Sequence, residues 1–223
     1  MPDPTSQFWL NLTVQCVVAV GTVGAVFAAL FGKSLRMKVW PPKLSLSLSD
    51  PDGEKTVVRL VPPGTEAVGR EGRLEDARYY RLRVSNGRRL SSTANQVQVV
   101  LLRIEEPAAD GREFVVTWAG ELPLTWMNQP LFPLLRTIGP SAQVDLCSVV
   151  KHKWIELHPL IKPLHLELQR RQSTHLILWV QAKSNEVDSS VMRIQVSWDG
   201  KWKDGAHEMR QHLVLKVLDQ AMS

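Results

Sequence analysis

The first feature of the sequence is an absence of charge near its beginning. No Asp, Glu, Lys or Arg occurs between Asp3 and Lys33. As a helix, residues 8–32 would be about 37 Å long, whereas the hydrocarbon core of a bilayer is about 30 Å thick. Twelve of these positions are Leu, Val or Phe, which favour insertion into lipid. The stretch therefore predicts a transmembrane helix at residues 8–32, after a short N-terminal tail at residues 1–7.

The leader before this stretch lacks basic residues. MPDPTSQ contains one acid and no Lys or Arg, and the apolar run ends in LFGK. A cleaved signal peptide begins with basic residues and ends in small residues at its cleavage site, so this class is disfavoured. A core helix of a soluble domain would be shorter and would have a polar face. The sequence therefore favours a membrane anchor that is retained.

Positive charge follows the predicted span and does not precede it. Lys33, Arg36, Lys38 and Lys43 lie in a basic, proline-containing connector at residues 33–43. Because Lys and Arg next to a span stay in the cytoplasm, we expect a single-pass protein of the inner membrane with its N-terminus outside. These juxtamembrane residues would also bind the anionic lipid of the bilayer.

Small residues recur along one side of the predicted span. Gly21, Ala25, Ala28 and Gly32 lie within about 60° of one another around a helix of 3.6 residues per turn. Such a stripe lets a second helix approach closely, which is how spans associate in lipid. Self-association or a membrane partner is one interpretation. The other is that Gly and Ala are common in spans generally.

The sequence also lacks the charge and the cysteines that two other classes of protein need. Residues 1–43 contain four Lys or Arg and one acid, so most of the net charge of +5 lies there and the rest of the chain is nearly neutral. This distribution argues against nucleic acid as a partner. One of the two cysteines, Cys16, lies in the predicted span, so an internal disulfide with Cys147 is not expected. Cys147 itself lies in an apolar strand and is interpreted as a core residue.

The sequence after residue 43 has no sustained helical period, internal repeat or disordered tract. Instead, short stretches alternate between apolar and polar residues, as in KLSLSLSD and ARYYRLRVSNG. Turn signals such as DPDG and SWDG separate seven to nine such stretches, and DGAHEMRQHL predicts a short helical turn before the last one. We therefore predict an all-β domain at residues 44–223, an immunoglobulin-like or related β-sandwich.

Known catalytic and cofactor motifs are missing. There is no nucleophile elbow, phosphate loop or dinucleotide glycine pattern. HEMRQH, residues 207–212, resembles the HExxH zinc motif, but its histidines would be about 140° apart on a helix and would not share an ion. We predict no catalytic residue, no metal and no cofactor, and interpret Glu105 and Glu106 as a solvated edge. An enzyme stays an alternative, and would show as a pocket with converging ionisable groups.

One candidate binding surface is basic. Arg78, Arg81, Arg83, Arg88 and Arg89 follow a predicted strand and its loop, and would meet membrane headgroups or an acidic partner. A solvated sheet face that discourages edge pairing explains the same residues.

A second candidate surface is aromatic. Trp198 and Trp202 flank the turn in SWDGKWKDG, and an exposed pair would favour recognition of a partner. A buried Trp198, with Trp202 covering the end of the sandwich, is the alternative.

Three stretches carry a resemblance at the level of the fold. They are YYRLRVSNGRRLSSTANQVQVVL at residues 79–101, IGPSAQVDLCSV at residues 138–149 and IQVSWDGKW at residues 194–202. The pattern resembles uncharacterised bacterial single-span membrane proteins with a C-terminal β-sandwich domain. The resemblance implies a strand–loop–strand pairing followed by later sandwich strands, and it implies no active site.

Together, these expectations describe a membrane-anchored protein that presents a β-sandwich at the cytoplasmic face. It would act by binding, as a sensor or adaptor for a protein partner. One alternative is a membrane effector whose spans oligomerise through the small-residue stripe when the sandwich is triggered. A second alternative is a membrane-tethered enzyme.

Overall fold

The computed structural model of the chain describes residues 4–39, 42–60, 72–87, 93–127 and 134–220. The chain divides into an N-terminal unit that ends at Pro42 and a β unit that begins at Lys43.

Helix α1, Pro4–Val39, extends beyond both ends of the predicted span. Proline suits the first helical turn because its missing N–H is one that a helix start leaves unpaired. Lys and Arg are good helix formers, so the basic residues do not end the helix, which stops where the sequence places two prolines. Residues 4–7 of the predicted tail and residues 33–39 of the predicted connector are therefore helical.

The middle of α1 is long and apolar enough to cross a membrane. Leu12–Ala29 contains no charged residue, and none of this segment is buried. The hydroxyls of Thr13 and Thr22 donate to the carbonyls one turn earlier, at 2.8 Å, so their polar groups are satisfied within the helix. Among the described residues, α1 is the one helix long and apolar enough to span a membrane. A signal sequence near an N-terminus would meet the same criterion.

Twelve strands are described in the β unit. In chain order they are β1 Leu44–Leu48, β2 Glu54–Leu60, β3 Arg73–Asn86, β4 Ala94–Pro107, β5 Phe114–Pro123, β6 Arg136–Ile138, β7 Ser141–Val150, β8 Trp154–Leu157, β9 Gln169–Arg170, β10 Thr174–Lys183, β11 Met192–Trp198 and β12 Leu213–Gln220. The predicted seven to nine is too low, in part because β6 and β9 have only three and two residues and show no alternation. The predicted helical turn is confirmed as α2, Ala206–Met209.

The strands form two antiparallel sheets of six strands each. The first has the order β1-β3-β7-β8-β9, with β2 also paired to β3, and the second has the order β12-β11-β10-β4-β5, with β6 also paired to β4. The predicted all-β, sandwich-like class is confirmed, and the immunoglobulin-like arrangement stays a prediction.

One hydrophobic core contains side chains from both sheets. In β11, Met192, Ile194, Val196 and Trp198 are buried, and the residues between them are half-buried on the outer face. The same core contains Leu82 and its neighbours from the first sheet. Alternation along each strand therefore separates an inner apolar face from an outer polar face. Cys147 is fully buried in this core, as interpreted, and burial raises the pKa of its thiol to about 12.

Residues 199–212 connect β11 to β12, two strands of the second sheet, and also contact the first sheet; we call this segment the arm. Trp202 and Met209 anchor the arm in the core. Between these anchors, the Asp204 carboxylate accepts hydrogen bonds from Lys55 at 2.9 Å and from Lys151 at 3.1 Å, both on the first sheet's side. These hydrogen bonds hold the pKa of Asp204 below its usual range.

The outer face of the first sheet carries a polar network around His158. The Nε2 atom of His158 lies 2.8 Å from the hydroxyl of Ser148, and its ring stacks on Tyr79 with 5.2 Å between ring centroids. Burial lowers the pKa of His158. The charged groups that act on it are Glu156, Asp145, Lys162 and Arg81. The folded β unit therefore favours the neutral imidazole.

We expect Trp202→Ala to lower the free energy of unfolding of the detergent-solubilised chain by about 3–5 kcal/mol, because it removes a large buried side chain and an anchor of the arm. Leu164→Ala is the control, since Leu164 is 97% exposed, and it should change stability by less than about 0.5 kcal/mol. Urea unfolding followed by circular dichroism measures both. Equal effects of the two substitutions would show that the arm is not anchored by Trp202.

The lowered pKa of His158 predicts a pH dependence of stability. The pKa of an unfolded histidine is about 6.5, so below that pH the unfolded chain binds a proton that the folded chain resists. Stability should therefore be complete above about pH 7 and fall as the pH drops toward 5. His158→Gln should flatten this slope in urea unfolding, whereas His207→Gln, at an exposed residue, should leave it unchanged. An unaltered slope in His158→Gln would contradict the assignment.

Candidate functional site

A cleft of about 490 Å³ lies at one end of the second sheet. Here β4 ends, β10 begins, β11 ends and β12 begins, so four neighbouring strands bring their terminal residues together. The inward apolar rows also end here, with Thr174 in β10 and Trp198 in β11. The side chains beyond these rows are polar, and a polar group that is buried needs a hydrogen-bond partner.

An ion pair between Glu106 and Arg170 forms one side of the cleft. The Arg170 guanidinium donates through Nη1 to Oε2 at 3.0 Å and through Nη2 to Oε1 at 2.6 Å. Glu106 ends β4 in the second sheet and Arg170 is in β9 of the first, so this two-point contact joins the two sheets. The guanidinium hydrogen bonds outweigh partial burial and lower the pKa of Glu106.

A second pair, Asp199 with His212, joins the first and last residues of the arm. Nδ1 of His212 lies 2.8 Å from Oδ2 of Asp199, and the Asp199 N–H donates to the His212 carbonyl at 3.1 Å. Partial burial alone would raise the pKa of Asp199, but the hydrogen bonds from His212 and from the Lys201 amide outweigh it and lower that pKa. Because Nδ1 is engaged, Nε2 is the nitrogen that His212 has for a ligand.

A third group on the cleft is His175 with its neighbours on the outer face. The amide Nε2 of Gln195 lies 2.8 Å from Nε2 of His175 and 3.4 Å from the hydroxyl of Ser197. The Gln195 amide and His175 Nε2 share one hydrogen bond, which fixes the plane of the imidazole. The ring of Phe114 meets His175 edge-on, with 5.2 Å between centroids. This imidazole is therefore held in one orientation.

The cleft brings together acids, bases and hydroxyls that hold one another in place. Such a preorganised set can bind a polar ligand through directed hydrogen bonds. Among the residues that the structure describes, no group of three or more His, Cys, Asp or Glu side chains is placed to hold a metal ion.

The sequence did not point to this cleft. Glu106 and Arg170 are 64 residues apart, and the sequence alone favours a solvated edge for Glu105 and Glu106. That interpretation is wrong, because Glu105 is only 8% exposed and Glu106 is ion-paired. The signal that was readable is the SWDG turn, which places Asp199 at the end of β11.

The predicted basic surface does not hold for Arg78 and Arg81. Arg78 is buried and donates to backbone carbonyls. Arg81 is ion-paired with Asp145 and Glu54, and its side chain is 11% exposed. Arg83 is exposed. The remaining two arginines of that prediction, Arg88 and Arg89, lie outside the described residues.

Of the two interpretations of the tryptophan pair, the exposed one is wrong and the buried one is confirmed. Trp198 and Trp202 both belong to the core. Their indole N–H groups donate within the arm, from Trp198 to the Lys201 carbonyl at 2.9 Å and from Trp202 to Asp204 at 3.3 Å. The apolar rings fill the end of the core, and the polar edge of each ring finds a local acceptor.

The residues predicted for membrane contacts all belong to α1, apart from Lys43. Gly21, Ala25 and Ala28 are exposed on α1, and Gly32 follows in the same helix. Lys33, Arg36 and Lys38 are in the last turns of α1, and Lys43 precedes β1. Packing of the small residues against a second helix stays a prediction.

Comparisons with protein-family models, with curated proteins and with solved structures give no match to the chain. The resemblance to single-span membrane proteins with a β-sandwich therefore stays a prediction, and the cleft is interpreted from its own chemistry.

We expect Glu106→Gln to destabilise the detergent-solubilised chain by about 1–2 kcal/mol in urea unfolding, because a guanidinium that is only 17% exposed loses its carboxylate partner. Glu121→Gln is the matched control. Its pair with Lys183 involves a carboxylate side chain that is 59% exposed, so the cost should stay below about 0.5 kcal/mol. A smaller cost for Glu106→Gln than for its control would contradict the role of this pair.

Proposed function

We propose that the chain is a single-pass inner-membrane binding protein, with its N-terminus outside and its β unit in the cytoplasm. In this proposal α1 is a permanent anchor, and the β unit acts as a sensor or adaptor by taking a ligand into the cleft between Glu106–Arg170 and Asp199–His212. The observation that carries the proposal is the combination of an uncovered apolar helix with a cleft of mutually oriented polar groups.

Support for the anchor comes from the apolar side chains of α1. Phe8, Val17, Val20 and Phe27 are each more than half exposed. Leaving such a side chain in water forfeits about 1.5–3 kcal/mol of burial free energy. A lipid bilayer covers the whole circumference of the helix, which is what an apolar surface on all sides requires. The basic residues at the end of α1 support the cytoplasmic placement of the β unit.

Support for binding comes from the charged groups of the cleft, which are already paired with one another. Both carboxylates already accept hydrogen bonds from neighbouring cations or imidazoles, so they serve to orient the cleft.

A tethered enzyme is the second candidate, favoured by one observation: a carboxylate that holds Nδ1 of an imidazole is how many enzymes orient a general base. Turnover of a bound ligand, lost in His212→Gln, would identify the enzyme.

We expect the full chain to remain in the membrane fraction after alkaline carbonate washing, because α1 is inserted.

Sidedness is tested in a Cys16→Ser background, where Cys147 is buried and unreactive. Asp110→Cys, in the exposed turn between β4 and β5, should react with a membrane-impermeant maleimide only after cell lysis. Ser6→Cys, before the predicted span, should react in intact cells. Labelling of Asp110→Cys in intact cells, or release of a β unit without α1, would overturn the proposal.

A further inference from the structure

We infer that the ligand of the cleft is a neutral polyhydroxylated group, such as a sugar ring or another polyol. This inference rests on the proposed function, because it takes the cleft to be the binding site and names the chemistry of its ligand.

The charges of the cleft are the first reason. The two oxygens of Glu106 both accept from Arg170, and Asp199 is held by His212. An anionic ligand would have to compete with Glu106 for the guanidinium, and a cationic ligand would have to compete with Arg170 for the carboxylate. Either exchange breaks a partly buried ion pair and leaves one partner without compensation. A ligand without net charge avoids this cost.

The hydrogen-bonding groups that remain are the second reason. Nδ1 of His212 lies against the Asp199 carboxylate, which only accepts, so Nδ1 donates there and Nε2 is the ring nitrogen left for a ligand. The hydroxyls of Ser173 and Ser197 both donate and accept, and the Gln211 amide does the same. The cleft therefore presents donors and acceptors side by side. A hydroxyl group is also both a donor and an acceptor, so several adjacent hydroxyls match this pattern better than a group of one kind.

A buried donor without a partner is the third reason. The Nε atom of Arg170 is shielded from solvent and has no hydrogen-bond partner among the residues that the structure describes. A buried donor left unpaired costs about 1–3 kcal/mol, so a ligand hydroxyl that displaces the groups shielding this atom and accepts from it would recover part of that cost. Glu106 fixes the other two nitrogens of this guanidinium, which presets the direction of the remaining N–H.

The size and the apolar part of the lining fit the same ligand class. A cleft of about 490 Å³ is within the range of small-molecule sites. Pro107, Trp198 and Val214 contribute apolar surface beside the polar groups. A sugar ring has C–H faces as well as hydroxyl edges, so it can contact both kinds of lining at once. The ring has two sources here, a free sugar or the glycosyl headgroup of a membrane lipid.

The test uses the full chain with ¹⁵N-labelled histidine, in nanodiscs of neutral phospholipid. Glucose, galactose and N-acetylglucosamine are compared with glucose 6-phosphate as the anionic counterpart and glucosamine as the cationic one. A second set of nanodiscs contains glucosyl diacylglycerol, to separate the headgroup from the free sugar. Binding is followed by the imidazole ¹⁵N signals of His212 and by titration calorimetry.

We expect at least one neutral sugar, free or as the headgroup, to shift the Nε2 signal of His212 and to bind at least tenfold more tightly than its charged counterparts. Arg170→Lys should weaken this binding at least tenfold, because lysine has neither the Nε donor nor the fixed guanidinium plane. Gln211→Ala, at an exposed position of the lining, should weaken it severalfold without affecting folding. His207→Gln, outside the cleft lining, should leave it unchanged.

Tighter binding of glucose 6-phosphate or glucosamine than of every neutral sugar would overturn the inference and leave the proposed binding function standing. If no compound in either set shifts the His212 signals, both the inference and the binding role of the cleft fall. If sugar binds and both Arg170→Lys and Gln211→Ala retain full affinity, the sugar site is elsewhere and the inference is overturned.

Discussion

The burial of one row of side chains from each sheet is the interaction on which the β unit depends. Because side chains alternate along a strand, only one face can turn inward, and a shift of one residue would exchange the two faces. In β11 such a shift would bury Arg193 and Gln195 and expose Ile194 and Val196. The hydrophobic term is roughly proportional to the apolar area removed from water, so it fixes the register of every strand with a clear alternation.

The cleft is a consequence of where this inward row stops. At the ends of β4, β10 and β11 the apolar side chains run out, but the space between the sheets still has to be closed. A β-bulge after Ile104 leaves Thr117 as an extra residue in β5, and its hydroxyl contacts both the Ile104 carbonyl and Glu106. Bulges re-aim side chains, and here the bulge lies directly before the carboxylate that reaches Arg170 in the other sheet. The same pairs that seal the core therefore orient the cleft.

The parts of this structure that the sequence predicts are those with a local cause. The alternation of Tyr80, Leu82 and Val84, the turn at the end of β11 and the short helix α2 all follow from neighbouring residues, and each is observed. Local reasoning leaves two interpretations open for Trp202, exposed beside a polar turn or covering the end of the sandwich, and the arm, which folds back onto the core, buries it. Local reasoning failed for Glu106, whose partner Arg170 is in the other sheet. Contacts between distant residues leave no periodic signal in a single sequence.

The proposed anchor and the chemistry inferred for the cleft are consistent with each other in their energetics. The charges of the cleft are already paired, so it can offer a ligand only neutral or singly charge-assisted hydrogen bonds. Each of these is worth about 0.5–3 kcal/mol net, whereas association itself costs several kcal/mol. Such a site binds a free ligand weakly. A β unit tethered by α1 would meet a ligand in the same membrane at an effective concentration in the millimolar range, where weak binding is sufficient. If α1 is the proposed anchor, tethering would favour the lipid-linked form of the ligand over its free form, because the anchor would supply the concentration that weak binding needs.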